Sequence, residues 1–235
     1  MSAPVLEFNA VSVAAGGKTL LGPVSASIDS TGITAVMGPN GAGKSLFLGA
    51  AHGLVALQSG DVTWNGSAAE SSRASRGFVF QTTPVMRRSV IANVAFPLIA
   101  RKVARAERNA RVRAAMETAR LAHVAHRPAA ALSGGERKRL DLARALVNDP
   151  VAILLDEPAA NLDPASTAEL EASLRQIARR GIKVILSTHD IAQARRLADD
   201  VLFFALGRVS EQGPAKAFFE EPESQIARKY LKGFL

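Results

Sequence analysis

The feature that most constrains the fold is a glycine-rich loop that directly follows a short apolar run. The run is Ile33–Met37, and the loop reads Gly38-Pro39-Asn40-Gly41-Ala42-Gly43-Lys44-Ser45. Glycine lets successive backbone N–H groups turn inward around an anion, which side chains would block. A helix that begins directly after the loop points its unsatisfied N–H groups at the same anion. The order strand, loop, helix therefore predicts a site for the phosphates of a nucleotide.

The polar residues of this loop have distinct predicted roles. The Lys44 ammonium should reach the β- and γ-phosphates and take part in catalysis, and the Ser45 hydroxyl should bind Mg²⁺. The alternative is a glycine loop that happens to precede a helix. We predict nucleotide contacts from the whole loop and the residue after it: Gly38, Pro39, Asn40, Gly41, Ala42, Gly43, Lys44, Ser45 and Leu46.

A pair of carboxylates follows a second apolar run. The run Ala152–Leu155 is followed directly by Asp156 and Glu157. Carboxylates at the end of a buried strand are costly unless they have a partner or a chemical task. Asp156 is predicted to lie near Mg²⁺, and Glu157 to polarise the attacking water as a general base. The structural alternative is that the pair only caps the helix that follows.

A third motif, Leu132-Ser133-Gly134-Gly135-Glu136, combines a helix cap with two glycines. Ser133 and Glu136 have the spacing of a capping box, here opening a helix predicted over 137–147. The glycines expose backbone N–H groups, so the motif also predicts a second anion-binding helix start. The structural alternative is a capping box with no other role.

Length and composition place the chain among ordinary globular proteins. It has 235 residues, a formal net charge of +8 and no cysteine, which excludes disulfides and cysteine nucleophiles. No apolar run reaches the roughly 18 residues of a membrane span, and we expect a cytosolic chain. Basic residues cluster in Arg101–Arg113 and Arg137–Arg139, but without interleaved aromatic residues. Nucleic acid is therefore not an expected partner.

Alternating strand and helix signals predict an α/β fold with a mostly parallel sheet. Strands are expected at 5–13, 24–28, 33–37, 62–64, 77–80, 151–155, 182–187 and 201–205, and helices at 44–54, 164–179 and 191–198. Two short helices are expected after Pro214. We predict a single domain, 1–235, with a mainly helical insertion at about 82–148.

Together these motifs resemble the ATPase domains of ABC-type proteins along nearly the entire chain. Their order and spacing are completed by three further elements, which are Gln81, Asn161-Leu162-Asp163 and Ser187-Thr188-His189-Asp190. The resemblance implies a P-loop NTPase of ABC type with an N-terminal antiparallel β subdomain and a helical insertion subdomain. It also implies a homodimer that sandwiches two ATP molecules with Mg²⁺.

The resemblance assigns further roles to individual residues. Ser133, Gly134, Gly135 and Glu136 of one chain would face the phosphate loop of the other. Gln81 would bind nucleotide and metal and link them to the insertion and a membrane partner, and Asp163 would communicate across the dimer. His189 would contact the γ-phosphate. The implied catalytic set is Glu157, His189 and Lys44, and the metal set is Ser45, Gln81 and Asp156.

The sequence departs from the family pattern at two places. Ala15 stands where most members have an aromatic ring that stacks on adenine, so adenine recognition differs here unless another residue, such as Phe8, covers the base. Arg137-Lys138-Arg139 replaces the more usual glutamine-rich start of the helix after the Ser133 motif.

A narrower resemblance, to ATPase subunits of tungstate importers, is visible in 44–54, 83–90 and 188–198. It implies transmembrane permease subunits, an extracytoplasmic substrate-binding protein and a place on the cytoplasmic face of the cell membrane. Importers of molybdate, phosphate or amino acids are the alternatives. Two other classes stay open, a soluble ABC ATPase acting on nucleic acid or ribosomes and an ATP-binding module without turnover.

Overall fold

The computed structural model describes residues 4–82 and 84–234. Thr83, which opens one of the segments compared with tungstate importers, lies outside the described residues. The strands are β1 (Pro4–Ala15), β2 (Lys18–Asp29), β3 (Ile33–Met37), β4 (Ser59–Trp64), β5 (Ser67–Ala68), β6 (Arg76–Val79), β7 (Ala152–Leu155), β8 (Lys183–Thr188), β9 (Asp200–Ala205) and β10 (Arg208–Pro214). The helices are α1 (Lys44–His52), α2 (Ala69–Ser72), α3 (Val90–Ala100), α4 (Arg105–Thr118), α5 (Gly134–Leu146), α6 (Pro164–Arg179), α7 (Ile191–Leu197), α8 (Ala215–Glu220) and α9 (Gln225–Leu231).

The central sheet is mostly parallel, which confirms the predicted fold class. Its order is β10-β9-β3-β8-β7-β6, and every neighbouring pair except β10–β9 is parallel. All residues of β3, β7 and β8 are buried. Strands covered on both faces favour apolar residues, which is why β7 and the middle of β8 are continuous apolar runs. The carboxyl ends of these three strands carry the phosphate loop, the carboxylate pair and His189.

A second, antiparallel sheet is built from the N-terminal part of the chain, as the resemblance implied. Its order is β2-β1-β4-β5. It packs on α1 through Phe8, whose ring stacks on that of Phe47 with centroids 4.3 Å apart. Phe47 in turn contacts Phe204 of the central sheet. This aromatic stack joins the two sheets at the first turn of α1, which follows the phosphate loop.

Three long helices, α3, α4 and α5, lie between β6 and β7 in the sequence. They pack on one another through buried side chains that include Leu98, Met116 and Leu140. Val112, Ala115, Met116 and Ala119 recur at helical spacing and are all buried, as expected for the inner face of an amphipathic helix. Within the described residues, no helix is long and apolar enough to cross a membrane.

Several predicted boundaries were wrong. Helix α5 begins at Gly134 and not at residue 137, because Ser133 is its N-cap and the two glycines form its first turn. Helix α1 ends at His52 and not at residue 54, because Gly53 adopts a φ of 84° and closes the helix. Strand β10 was not predicted at all. Its residues are mostly polar and alternate between exposed and half-buried, so the segment has no apolar run.

Candidate active site

The phosphate loop is shaped by glycines in conformations that other residues rarely adopt. Gly38, Gly41 and Gly43 have φ values of 144°, 78° and 102°. A side chain at Gly38 would collide with the carbonyl group of Phe204, whereas the space around a Cβ at Gly41 is open. Helix α1 begins at the end of this loop without a side-chain cap on its first N–H groups. These donors are therefore available to an anion, which fits a nucleotide phosphate.

The ammonium group of Lys44 is held against this loop. Nζ donates to the carbonyl oxygens of Gly38 at 2.8 Å and Pro39 at 3.0 Å. Burial lowers the pKa of Lys44, and the nearby carboxylates of Glu157 and Asp156 raise it in opposition. The side chain is only 6% exposed. A buried cation inside a ring of backbone donors is suited to a multiply charged anion.

Asp156 is joined to the phosphate loop by hydroxyl groups. Ser45 Oγ donates to Asp156 Oδ1 at 3.0 Å, and Ser187 Oγ donates to the same oxygen at 2.6 Å. The backbone N–H of Glu157 donates to Ser187 Oγ at 2.9 Å. The hydroxyl and carboxylate oxygens of Ser45 and Asp156 are hard ligands of the kind that Mg²⁺ prefers, so this pair fits a magnesium site.

Ser187 belongs to the site, although the sequence predicts no individual role for it within the motif Ser187-Thr188-His189-Asp190. Its position at the end of β8, parallel to and paired with β7, lets one hydroxyl hold both the Asp156 side chain and the Glu157 backbone. Parallel pairing of two apolar runs, each followed by polar residues, was the signal that could have identified it.

Glu157 contacts two other predicted site residues. Its Oε1 lies 3.1 Å from Nδ1 of His189, and Gln81 Nε2 donates to its Oε2 at 3.4 Å. Glu157 has a φ of 43°, an uncommon value for a residue with a side chain. A sharp turn of this kind at a strand end is typical of functional sites. The structure therefore brings Gln81, Glu157 and His189 together beside Asp156.

The remaining predicted site residues form a separate cluster. The capping box at the start of α5 is present, with Ser133 N–H donating to Glu136 Oε2 at 2.8 Å and Glu136 N–H to Ser133 Oγ at 3.2 Å. The hydrogen bond from the Ser133 backbone holds the pKa of Glu136 below its usual value; burial opposes it, and the charge of Arg127 adds a smaller lowering effect. Ser133 and Gly134 are exposed.

Asp163 lies next to this cluster as the N-cap of α6, where its carboxylate accepts from Ser166 N–H at 2.9 Å. A side chain at Gly135 would collide with that of Ser166, so the starts of α5 and α6 pack closely. Among the described residues, no hydrogen bond joins Asp163 or residues 133–136 to the phosphate loop. The two predicted anion-binding elements are therefore separate within one chain.

A sequence profile of the ABC transporter family matches residues 21–160. The chain belongs to the ABC transporter family. It is 37% identical over 237 residues to the phosphate import ATP-binding protein PstB of Pyrobaculum aerophilum, with 94% of each chain covered. It is 37% identical over 205 residues to the tungstate uptake system ATP-binding protein TupC of Peptoclostridium acidaminophilum, covering 87% of this chain and 94% of TupC.

A third relative is named for a cation. The Fe(3+) ions import ATP-binding protein FbpC of Streptomyces coelicolor is 34% identical over 236 residues, covering 98% of this chain and 68% of FbpC. The chain is therefore an ATP-binding subunit of the import type and an ATPase, and its relatives differ in the substrate for which they are named.

Two solved ABC structures share the fold. The structure of cbiO1 from Clostridium perfringens, part of the transporter complex cbiONQ, superimposes with a TM-score of 0.87 at 30% identity, covering 94% of this chain and 92% of cbiO1. The dimeric post-hydrolysis structure of the cassette MJ0796, bound to ADP and Pi, gives a TM-score of 0.79 at 27% identity, with coverages of 89% and 98%.

The sole tyrosine of this ABC protein contacts the site from the C-terminal helix, which sequence reasoning missed. Tyr230 Oη donates to the backbone carbonyl of His189 at 2.9 Å, and its ring packs on Phe203. The hydroxyl is buried, which raises the pKa of Tyr230 to about 12. The two partners are 41 residues apart in sequence, so no local pattern could have connected them.

Tyr230→Phe should lower kcat about fivefold, because it removes one hydrogen bond of about 1 kcal/mol that holds His189. Phosphate release and ATP titration measure kcat and KM. Ser224→Ala is the matched control, since it removes the N-cap of the same helix without a contact to His189. A Tyr230→Phe variant with the kcat of the wild type, or an effect of equal size in the control, would contradict a positioning role.

The structure shows the surroundings of Ala15 and of Phe8, the two residues considered for contact with the adenine base. Ala15 is exposed at the end of β1, opposite Lys18 in the β1–β2 hairpin. Phe8, considered in the sequence as a substitute for the missing ring, is 2% exposed and packed on Phe47. That alternative was wrong, because Phe8 belongs to the core between the two sheets.

Ala15→Tyr should therefore raise the affinity for ATP about 5- to 150-fold, the range that corresponds to a stack of about 1–3 kcal/mol. The wild type should discriminate weakly between ATP and GTP. Titration of both nucleotides into both proteins measures this. Thr19→Tyr, which pairs with Ala14 and so projects from the other face of the hairpin, is the control. An unchanged ATP affinity in Ala15→Tyr would disprove the idea.

Proposed function

We propose that this protein is the ATP-hydrolysing subunit of an ABC importer for an oxyanion, most specifically tungstate. The observation that carries the proposal is the meeting of a buried lysine, a carboxylate pair and a histidine at the carboxyl ends of three adjacent parallel strands. These residues are Lys44 after β3, Asp156 and Glu157 after β7, and His189 after β8.

In the proposed hydrolysis, each residue acts on the phosphates or on water. Lys44 binds the β- and γ-phosphates, because its ammonium already lies inside the loop. Glu157 accepts the proton of the attacking water, and His189 orients that carboxylate and contacts the γ-phosphate. Ser45, Asp156 and Gln81 would hold Mg²⁺, which when bound neutralises charge on the phosphate oxygens.

The proposed active form is a homodimer in which each nucleotide lies between two chains. The start of α5 is exposed and capped, and it is not bonded to the phosphate loop of its own chain. A head-to-tail partner would place Ser133, Gly134, Gly135 and Glu136 against the γ-phosphate bound by the other chain, with Asp163 beside them. The dimeric ADP- and Pi-bound structure of MJ0796 supports this arrangement.

The proposed membrane partner is a permease that docks where β6 meets the helical insertion, 82–148. Phe78, Phe80 and Pro97 line a groove there of about 210 Å³, beside Gln81. Phe80 is 48% exposed, and Asp141 and Arg144 also line the groove, so it offers a permease segment an apolar contact flanked by charged groups. The chain would lie on the cytoplasmic face of the membrane and act with a substrate-binding protein on the other side.

The choice of a specific oxyanion as the transported substrate rests on similarity to relatives and not on a binding site in this chain. Both anion-binding helix starts are assigned to ATP, so the transported ion is recognised by the partners. Tungstate rests on the resemblance of 83–90 and 188–198 to tungstate importers and on the TupC match. A phosphate importer is the second candidate, since this chain has the same sequence identity, 37%, to PstB as to TupC.

The proposal is tested by reconstituting the ATPase with the permease and binding protein encoded beside its gene. We expect tungstate to stimulate ATP hydrolysis, with molybdate weaker and phosphate without effect. A complex carrying Lys44→Ala controls for contaminating ATPases. Stimulation by phosphate alone would favour the second candidate, and stimulation only by an amino acid or Fe³⁺ would refute an oxyanion importer.

A further inference from the structure

The second departure from the family pattern, Arg137-Lys138-Arg139, places one buried cation beside the active site. Lys138 lies on α5 and is 7% exposed. Its Nζ donates to the carbonyl oxygens of Phe80 at 2.9 Å and Gln81 at 2.8 Å. A single ammonium thus connects the helix that begins at Ser133 with the segment that carries Gln81.

The two neighbouring arginines make different contacts. Arg137 donates to the carbonyl groups of Leu132 and Ala130, next to the start of its own helix. Arg139 pairs with Glu169 on α6. Of the three basic residues, only Lys138 contacts the described part of the segment beside Glu157. The basic run therefore does not act as one charged surface.

We infer that Lys138 is a positioning residue that fixes Gln81 relative to helix α5. The inference rests on the proposed function, in which Gln81 serves the nucleotide bound by its own chain and the start of α5 serves the nucleotide bound by the partner. Lys138 fixes the position of the Gln81 segment relative to the start of α5 within one chain. A displacement of α5 is then transmitted directly to Gln81 and through it to Glu157, 3.4 Å away.

The physical cost of this contact argues against a purely structural role. Lys138 is only 7% exposed, so its ammonium has lost most of its hydration and has two carbonyl oxygens in exchange. A methionine would fill nearly the same volume without the desolvation penalty. Lys138→Met should therefore keep or raise the melting temperature, while the carbonyl groups of Phe80 and Gln81 lose their donor.

The first experiment compares Lys138→Met, Lys138→Arg and the control Lys183→Met. Lys183 is also buried and also donates to a backbone carbonyl, that of Thr31, but it lies at the amino end of β8, whereas the site lies at the carboxyl end. In the nucleotide-free protein, hydrogen exchange of a peptide containing Phe80 and Gln81 should accelerate about tenfold in Lys138→Met. Exchange there should be unchanged in Lys183→Met, and close to wild type in Lys138→Arg, which retains N–H donors.

Hydrolysis gives the second readout. Lys138→Met should lower kcat about 10- to 100-fold, the effect expected from a small misplacement of a catalytic group. Lys138→Arg should recover most of this loss, and Lys183→Met, which removes a buried ammonium remote from Gln81, should leave kcat unchanged. In a Gln81→Ala background, Lys138→Met should change kcat by less than about twofold, because the residue it positions is gone.

Three results would overturn the inference. These are wild-type kcat and exchange in Lys138→Met, a loss of kcat that merely follows a lower melting temperature, and an undiminished effect of Lys138→Met in the Gln81→Ala background. Failure of the proposed function is distinguishable, since the wild-type chain itself would then release no phosphate while the exchange experiment would still report on the contact.

Discussion

Replacement of Lys44 by alanine is expected to reduce ATP hydrolysis about 100- to 1,000-fold. The ammonium lies within 3.0 Å of the carbonyl oxygens of Gly38 and Pro39 in the phosphate loop, so we expect it to meet the β- and γ-phosphates without rearrangement of the chain. Charge stabilisation of this kind, in a site shielded from water, is among the largest contributions to catalysis. Phosphate release by the purified protein measures the loss.

Two controls separate this effect from misfolding. Lys229→Ala removes an exposed lysine of α9 and should leave hydrolysis unchanged. The melting temperature of Lys44→Ala should stay within a few degrees of the wild type, because the carbonyl groups of Gly38 and Pro39 can bond to water once the side chain is removed. Hydrolysis within about twofold of the wild type in Lys44→Ala would refute the assignment of the phosphate loop.

Glu157→Gln should retain ATP binding and lose turnover about 100- to 10,000-fold. Glutamine preserves the shape of the side chain and can still bond to His189, but it cannot accept a proton from water. The backbone N–H bond to Ser187 is unaffected, so the turn with a φ of 43° is preserved. Binding is measured by titration and turnover by phosphate release, with the exposed Glu117→Gln as control. Normal hydrolysis in Glu157→Gln would show that the carboxylate is not the general base; the alternative of a helix cap is contradicted by the structure, in which Asp163 caps α6.

The parts of the fold and site that could be predicted are those fixed by local chemistry. Strands β3 and β7 are buried on both faces, so their sequences are continuous apolar runs. The glycines of the phosphate loop and the Ser133–Glu136 spacing follow from backbone conformation over a few residues. The ABC resemblance added Gln81 and His189, and the structure places both against Glu157.

What could not be predicted depends on contacts between distant segments. Lys138 and Gln81 are separated by 57 residues, and Tyr230 and His189 by 41. Strand β10 owes its place to pairing with β9 and not to its own polar sequence. The two glycines of α5 look like a loop in the sequence because glycine has a low helix propensity. They are helical in the structure because the cap from Ser133 and Glu136 offsets that cost.

We expect two chains to close head to tail on ATP, each completing the site of the other. The most direct measurement is the mass of Glu157→Gln in solution with ATP and Mg²⁺, determined by light scattering after size-exclusion chromatography. We expect a mass of twice the 24.7 kDa of one chain with ATP, and the mass of a single chain without ATP. Adding Gly134→Asp, which places a negative charge at the exposed start of α5, should abolish the ATP-dependent dimer. A Glu157→Gln protein that binds ATP and stays at 24.7 kDa would contradict the account.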